Sequence, residues 1–311
     1  MAKLLELRRM TLEMPVSHVP TLRIGTLVQA EHAVETIKAI LPHGFESFQI
    51  TFGSNLGETD LFAMGKRILD VLAQAEHNAV ISALGLYGNP LTDPQTAKDW
   101  QRIIEAAGAF GTDIIAGFTG RIPDRPLPES IQAFTACFGP LAARAEDHGV
   151  RIAFENCDMG GDWERGDWNI AHCPRAWEMM FDAVPSDSLG LEWEPCHQMI
   201  SFIDPLPQLK DWIQRIFHIH GKDAQIDWDV IRRHGIRSGL PFAWHRTPGF
   251  GDTDWIRLIS HLRQHSYQGS IDIEGWHDPV YCDALEMTGQ VHALRYLKEC
   301  RGGKFIPNPE C

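Results

Sequence analysis

A (β/α)8 TIM barrel, with extended loops after its fifth and seventh strands, is the fold this 311-residue chain predicts. Two observations carry the prediction. Eight short apolar runs alternate with helical stretches at spacings of about 30 residues, the rhythm of parallel strands joined by crossover helices. Four of those runs also end in acidic or imidazole side chains: RIAFEN in Glu155, LGLEWEPCH in Glu192, Glu194 and His197, IFHIHGKD in His218 and His220, and GSIDIEG in Glu274. The C-terminal ends of parallel strands are where such a barrel assembles a site.

Taken in order, residues 1–21 carry mixed charge and two prolines and read as a strap outside the barrel. LRIGTLV (22–28) is the first strand, followed by a helix over 32–41 and a turn at Pro42-His43-Gly44. FESFQITFG (45–53) is the second. Leu61, Met64, Ile68, Leu69 and Leu72 then recur at helical spacing. AVISALGLYG (79–88) is the third strand, and LTDP supplies Thr or Asp to cap the next helix. TDIIAGFTG (112–120) is the fourth, and a Pro-rich loop leads to a helix through His148. The four site-bearing strands follow, and a helix over 286–300 closes the series before a tail at 301–311. No composition break divides the chain, so 1–311 is expected to form a single domain. Two inserts, 158–174 and 225–253, are rich in Trp, Gly, Asp and His, and suit a lid over a polar ligand.

Composition narrows the function. A net charge of −13 opposes a nucleic-acid surface and favours cationic ligands such as divalent metals. Seven scattered cysteines with no CxxC pair point to a reducing cytoplasm rather than a disulfide framework. No apolar run approaches the roughly 20 residues of a membrane span, and the N-terminus lacks the core of a signal peptide.

Side-chain parity adds a geometric test. Glu192 and Glu194 share one strand face, as do His218, His220 and Lys222, and as do Asp272 and Glu274; the residues between them are mostly apolar. The polar face is then the barrel interior near its mouth, where several ionisable groups need a metal or mutual pairing. Three carboxylates and an imidazole suit Mn²⁺, Mg²⁺ or Co²⁺ better than a thiolate zinc site.

The sequence resembles the xylose-isomerase-like barrels, which include the sugar epimerases and isomerases related to tagatose 3-epimerase, and the endonuclease IV-like proteins. FEN (154–156), EPCH (194–197), HGKD (220–223), PGFGDTDW (248–255) and IEGWHD (273–278) carry the resemblance. It implies metal ligands Glu155, Glu194, His220 and Glu274, with Glu155 and Glu274 also exchanging protons with substrate. It implies one divalent ion, Mn²⁺ first. It also places His197 and Arg246 against substrate. Glu194 stands where the family usually has Asp, so Glu192 remains an alternative ligand. The three-zinc endonuclease pattern is incomplete here.

The residue types then point to a small-sugar epimerase or isomerase, in which carboxylates move a proton through a metal-stabilised enediolate. The alternatives are a lyase eliminating a leaving group from 3-keto-glycosides, and a non-catalytic sugar-binding subunit. Lys222 and Asp223 are either substrate contacts or a structural pair, and Trp163, Trp168 and Trp276 either stack on sugar or pack. Cys196 beside His197 is not read as a nucleophile pair, because strand neighbours face opposite ways. His172, His245 and His277 add polar density near the mouth without an assigned role. With no Gly-rich phosphate cradle, an unphosphorylated substrate is expected. The wide inserts also suit a homo-oligomer interface.

Overall fold

The polar strand ends converge because the strands close into a ring. The computed structural model describes residues 22–309 apart from Trp276, Phe305 and Pro307. The strap expected at 1–21, the role expected of Trp276 and the end of the tail therefore lie outside the described residues. The strands are β1 (Arg23–Gln29), β2 (Ser47–Phe52), β3 (Val80–Leu86), β4 (Ile114–Gly117), β5 (Arg151–Glu155), β6 (Leu189–Trp193) and β7 (Ile216–Gly221). A ribbon of β8 (Asp223–Ile226) and β9 (Ala243–Arg246) follows, then β10 (Ser270–Ile273). β1 to β7 and β10 form a closed barrel in the order β1-β10-β7-β6-β5-β4-β3-β2, with every neighbour parallel.

Helices lie between the strands, and their starts follow from local chemistry. Asp60 accepts a hydrogen bond from Ala63 N at the head of helix α2 (Leu61–Leu72), which follows α1 (Ala33–Ile40). Asp93, rather than Thr92, caps α3 (Pro94–Ala106) by accepting from Gln95 N and Thr96 N. Each such cap satisfies an otherwise orphaned N–H, worth about 1 kcal/mol. The helix faces bury Trp100, Trp177 and Trp255 against the outward face of the barrel.

Register sets the height of each polar group. Glu155 pairs with Glu192, Glu192 with His218, and Asp272 with His220. Glu194 and Glu274 lie just past the ends of β6 and β10, and therefore nearer the mouth.

Both inserts are tied down from beneath. The buried Arg121 guanidinium, in the loop after β4, donates to the Arg125 carbonyl of its own loop and to the carbonyls of Asp162 and Trp163 in the segment after β5. Asn169 Nδ2 donates to the carbonyls of Glu155 and Cys157, which holds the chain where it leaves the strand. The segment after β7 is not a plain loop: it carries the antiparallel β8–β9 ribbon around the helix Trp228–His234. Asp223 closes its base, accepting from Ala224 N, Thr253 N, the Thr253 hydroxyl and Trp255 Nε1. A Cβ on Gly251 would sit 2.4 Å from Asp223 Oδ1, so only glycine passes there. Asp223 is thus a structural anchor and not half of a pair with Lys222.

Candidate active site

Four strands each deliver one donor to a common point. Glu155 ends β5, Glu194 follows β6, His220 lies on β7 and Glu274 follows β10. One ligand atom from each lies within 4.8 Å of all the others, and all four side chains are buried. His220 Nδ1 is 3.2 Å from Glu274 Oε2 and 3.6 Å from Glu155 Oε1. Both Glu194 oxygens, Glu274 Oε2 and His220 Nδ1 make no hydrogen bond despite burial. His197 Nε2 comes within 3.0 Å of Glu194 Oε1 but out of hydrogen-bond alignment. Buried, unpaired carboxylates are costly unless a cation stands among them. An oxygen-rich set with one imidazole fits a hard or borderline divalent ion such as Mn²⁺, Mg²⁺ or Co²⁺.

The charges around that point are strongly coupled. Burial and the neighbouring Glu274 and Glu155 carboxylates push the Glu194 carboxyl up to about 7, although Lys222 and His197 pull it down. Burial also opposes charge on Glu274, yet Lys222, His220 and His277 hold its carboxyl well below the usual range. The Lys222 ammonium is buried 2.8 Å from Glu274 Oε1 and 3.7 Å from Glu194 Oε2. Its pKa is raised, because those two carboxylates outweigh the loss of water.

A second set of charged groups lies deeper. His218 is held between Glu192 Oε1, 2.9 Å from its Nδ1, and Asp272 Oδ2, 2.8 Å from its Nε2. Burial works against an imidazolium here, but the two carboxylates raise its pKa. Asp272 also accepts from the hydroxyls of Ser47 and Ser82. Glu192 accepts from Gln49 Nε2 at 2.8 Å and from the Tyr87 hydroxyl at 2.9 Å. Glu192 is therefore fully paired within the protein, whereas Glu194 faces the convergence point with neither oxygen hydrogen-bonded.

Above the cluster opens a cavity of about 610 Å³. Leu27, Phe52, Phe118 and Met159 form an apolar side, while Glu155, His197, His220, Lys222, His245 and Glu274 supply polar groups. His197 is buried, with Nδ1 3.8 Å from Asp158 Oδ1. Arg246 does not line the cavity: its Nε is 3.1 Å from Asp278 Oδ2 and its NH1 donates to Gln225 Oε1. Trp163 packs under Arg175, and neither it nor Trp168 lines the cavity. Cys196 is buried outside the cavity, and burial first, then the Glu194 carboxylate, keeps its thiol protonated.

Sequence reasoning missed Gln49, Tyr87 and Asp158, which the structure places among these groups. Gln49 had a legible signal, since Ser47, Gln49 and Thr51 alternate with Phe48, Ile50 and Phe52.

A model of the xylose isomerase-like TIM barrel matches residues 37–300. The chain belongs to that family. Among solved structures, the family fold recurs in 3-keto-D-glucoside 4-epimerase from E. coli, with a TM-score of 0.67 and 18% identity, covering 90% of this chain and all of that one. It recurs likewise in D-allulose 3-epimerase from Methylomonas sp., with a TM-score of 0.64 and 18% identity over 89% of this chain and 96% of that one. Among curated proteins, inosose dehydratase of Clostridium perfringens is 24% identical over 166 residues, 51% of each chain. The chain spans about half the length of that relative. Inosose dehydratase of Lactiplantibacillus plantarum is 30% identical over 114 residues, 36% of this chain and 37% of its own.

Proposed function

We propose that the protein is a divalent-metal-dependent epimerase or isomerase of an unphosphorylated keto-sugar, with Mn²⁺ as the working ion. One observation carries this reading: Glu155, Glu194, His220 and Glu274, from four different strands, bring ligand atoms within 4.8 Å of one another, and both Glu194 oxygens, Glu274 Oε2 and His220 Nδ1 are buried there without a hydrogen bond. Glu155, Glu194, His220 and Glu274 would hold the ion, which supplies positive charge to polarise a substrate carbonyl and an adjacent hydroxyl.

The chain's own groups do the rest. Glu155 and Glu274 both line the cavity, so each reaches a substrate lying across it. One removes the proton from the carbon beside the carbonyl, and the other returns a proton to the opposite face, which inverts that carbon. Lys222, 2.8 Å from Glu274, keeps that carboxylate ionised and ready to accept. His197 and His245 stand at the same wall, within reach of sugar hydroxyls. The apolar side excludes water from the reacting carbons. Among the described cavity-lining residues Lys222 is the only lysine or arginine, which favours a neutral substrate over a sugar phosphate. The described cysteines are all free, in keeping with a reducing cytoplasm.

A second reading is a lyase that uses the same base to expel a β-leaving group from a 3-keto-glycoside. The dehydratase relatives favour it, since loss of water from a keto-polyol needs the same proton abstraction. Turnover of free ketoses and of 3-keto-glycosides in D₂O, followed by NMR, separates the two. Deuterium at an inverted carbon with the glycoside intact supports epimerisation, and a released aglycone supports elimination. Sugar binding without turnover in the Mn²⁺-loaded protein would sink both and leave a binding subunit.

A further inference from the structure

We propose that Gln49 is a positioning residue that fixes the tautomer of His220 and so presents the bare Nδ1 of that imidazole to the divalent ion. The inference rests on the metal reading given above. Gln49 projects inward from β2, and its amide touches three groups: Glu192 Oε1 at 2.8 Å, the Tyr87 hydroxyl at 2.7 Å and His220 Nε2 at 2.8 Å.

The assignment of each proton follows from what each partner is able to give. Glu192, as a carboxylate beside the two imidazoles, only accepts. The Tyr87 hydroxyl donates its one proton to Glu192 Oε2 at 2.9 Å, so towards Gln49 it accepts. Both contacts require the amide NH₂ on that side. Reversing the amide would press its carbonyl oxygen against a carboxylate oxygen. Gln49 Oε1 must then face His220 at 2.8 Å, nearer than the Glu192 Oε1 that lies 3.1 Å from the same nitrogen, and both acceptors are satisfied only by an N–H on Nε2. A neutral imidazole protonated at Nε2 carries its lone pair on Nδ1, the atom that faces Glu274 and Glu155.

Glu192 acts as the fixed end of this device. His218 Nδ1 holds it at 2.9 Å, and Asp272 holds His218 in turn. Space for the amide is carved out by Gly85 on β3. A Cβ there would lie 2.6 Å from the Tyr87 ring and 2.9 Å from Gln49 Nε2, so a side chain at 85 would displace the very contact that orients the amide. The run Asp272–His218–Glu192–Gln49–His220 thus leads from a buried, fully paired base to the one imidazole of the cluster. Groups that orient a ligating histidine through its second nitrogen typically change metal affinity 10- to 100-fold when removed.

Two measurements on the full-length protein test this. Calorimetric Mn²⁺ titration of wild type and Gln49→Met should show affinity weakened about 10- to 100-fold in the variant. Long-range ¹H–¹⁵N spectra of metal-free ¹⁵N-histidine protein should place the His220 proton on Nε2 in wild type and lose that single state in Gln49→Met. A merely structural role for Gln49 would leave those nitrogen shifts unmoved. Equal Mn²⁺ affinity in the two proteins overturns the inference while leaving the metal reading standing. No Mn²⁺ binding by wild type overturns both. If Gln49→Met fails to fold by circular dichroism, the wild-type spectrum decides alone: a proton found on Nδ1 overturns the inference.

Discussion

Two sets of buried ionisable groups are stacked inside one barrel, and they differ in a single respect. The deeper set, Glu192, His218 and Asp272, answers every carboxylate with a donor from the protein. The set at the mouth, Glu155, Glu194, His220 and Glu274, leaves four buried polar atoms unanswered. Residue types do not separate the two, since both mix carboxylates with imidazole. Pairing separates them. The deeper set spends its charge on tying five strands together, and the upper set holds its charge available for something that is not protein.

The contrast breaks most visibly in activity. Glu155→Gln and Glu274→Gln each remove a proton-transfer group while keeping shape, so kcat should fall about 10²- to 10⁴-fold. Thermal unfolding of Glu155→Gln should stay close to wild type, whereas Glu274→Gln also strips the buried Lys222 ammonium of its 2.8 Å partner and should lose stability. A variant that retained full activity in the D₂O exchange assay would remove that residue from the chemistry.

The reverse pattern is expected below. Asp272→Asn withdraws one of the two carboxylates that clasp His218, both at 0% exposure. Breaking a buried pair by deleting one partner costs about 3–5 kcal/mol. Urea unfolding should show that loss, with Mn²⁺ binding reduced less than stability. If Asp272→Asn unfolds like wild type, the deeper set is not the scaffold described here.

Much of this was legible in the sequence, and the reasons are physical. Strand parity in LGLEWEP and IFHIHGKD needs only the two-residue repeat of a pleated strand, so the inward polar faces could be read directly. Depth along the barrel axis could not. Glu192 and Glu194 share a face, and only register puts one inside β6 among donors and the other past its end. Gln49 carries neither charge nor imidazole and so gives no ligand signal of its own, although its alternation with Phe48 and Ile50 is equally plain. The partners of Arg246 are separated from it by 32 and 21 residues and come from the β10–α connection and the ribbon. Nothing local announces such pairing. The ribbon itself pairs Asp223 with Arg246 across a segment rich in Trp and Gly, which reads as loop.

Metal linkage gives a smaller and more selective effect. A cation held by the upper set stabilises the folded state by about 2.7 kcal/mol at 100 times its Kd. Wild type should therefore melt higher with added Mn²⁺, and EDTA should reverse the gain. Glu194→Gln should melt at or above the cation-free wild type, because burial and the neighbouring carboxylates disfavour the ionised form of Glu194, and it should gain nothing from Mn²⁺. The same treatment should still stabilise Asp272→Asn, if that variant folds. A Mn²⁺ shift surviving in Glu194→Gln would assign the ion to other ligands.

At the foot of the barrel a half-buried carboxylate extends the contrast at lower stakes. Glu46, just before β2, accepts from Ile24 N at 3.0 Å and from both Arg301 nitrogens, with Lys298 3.1 Å away. Burial raises the pKa of its carboxyl, but the Arg301 guanidinium, the Ile24 amide and Lys298 together bring it below the ordinary 4.5. A carboxylate with a depressed folded pKa stabilises the fold above its unfolded pKa and loses that contribution as pH falls through the folded value. Charge-assisted hydrogen bonds of this kind contribute about 1.5–3 kcal/mol, and the part-exposed position favours the lower end. Glu46→Gln should therefore be less stable than wild type by about 1.5 kcal/mol at neutral pH. The gap should narrow as pH drops below 4.5 and close once Glu46 is protonated in both states. A gap that stays constant with pH would mean that shape, not charge, ties the last helix to the base of the barrel.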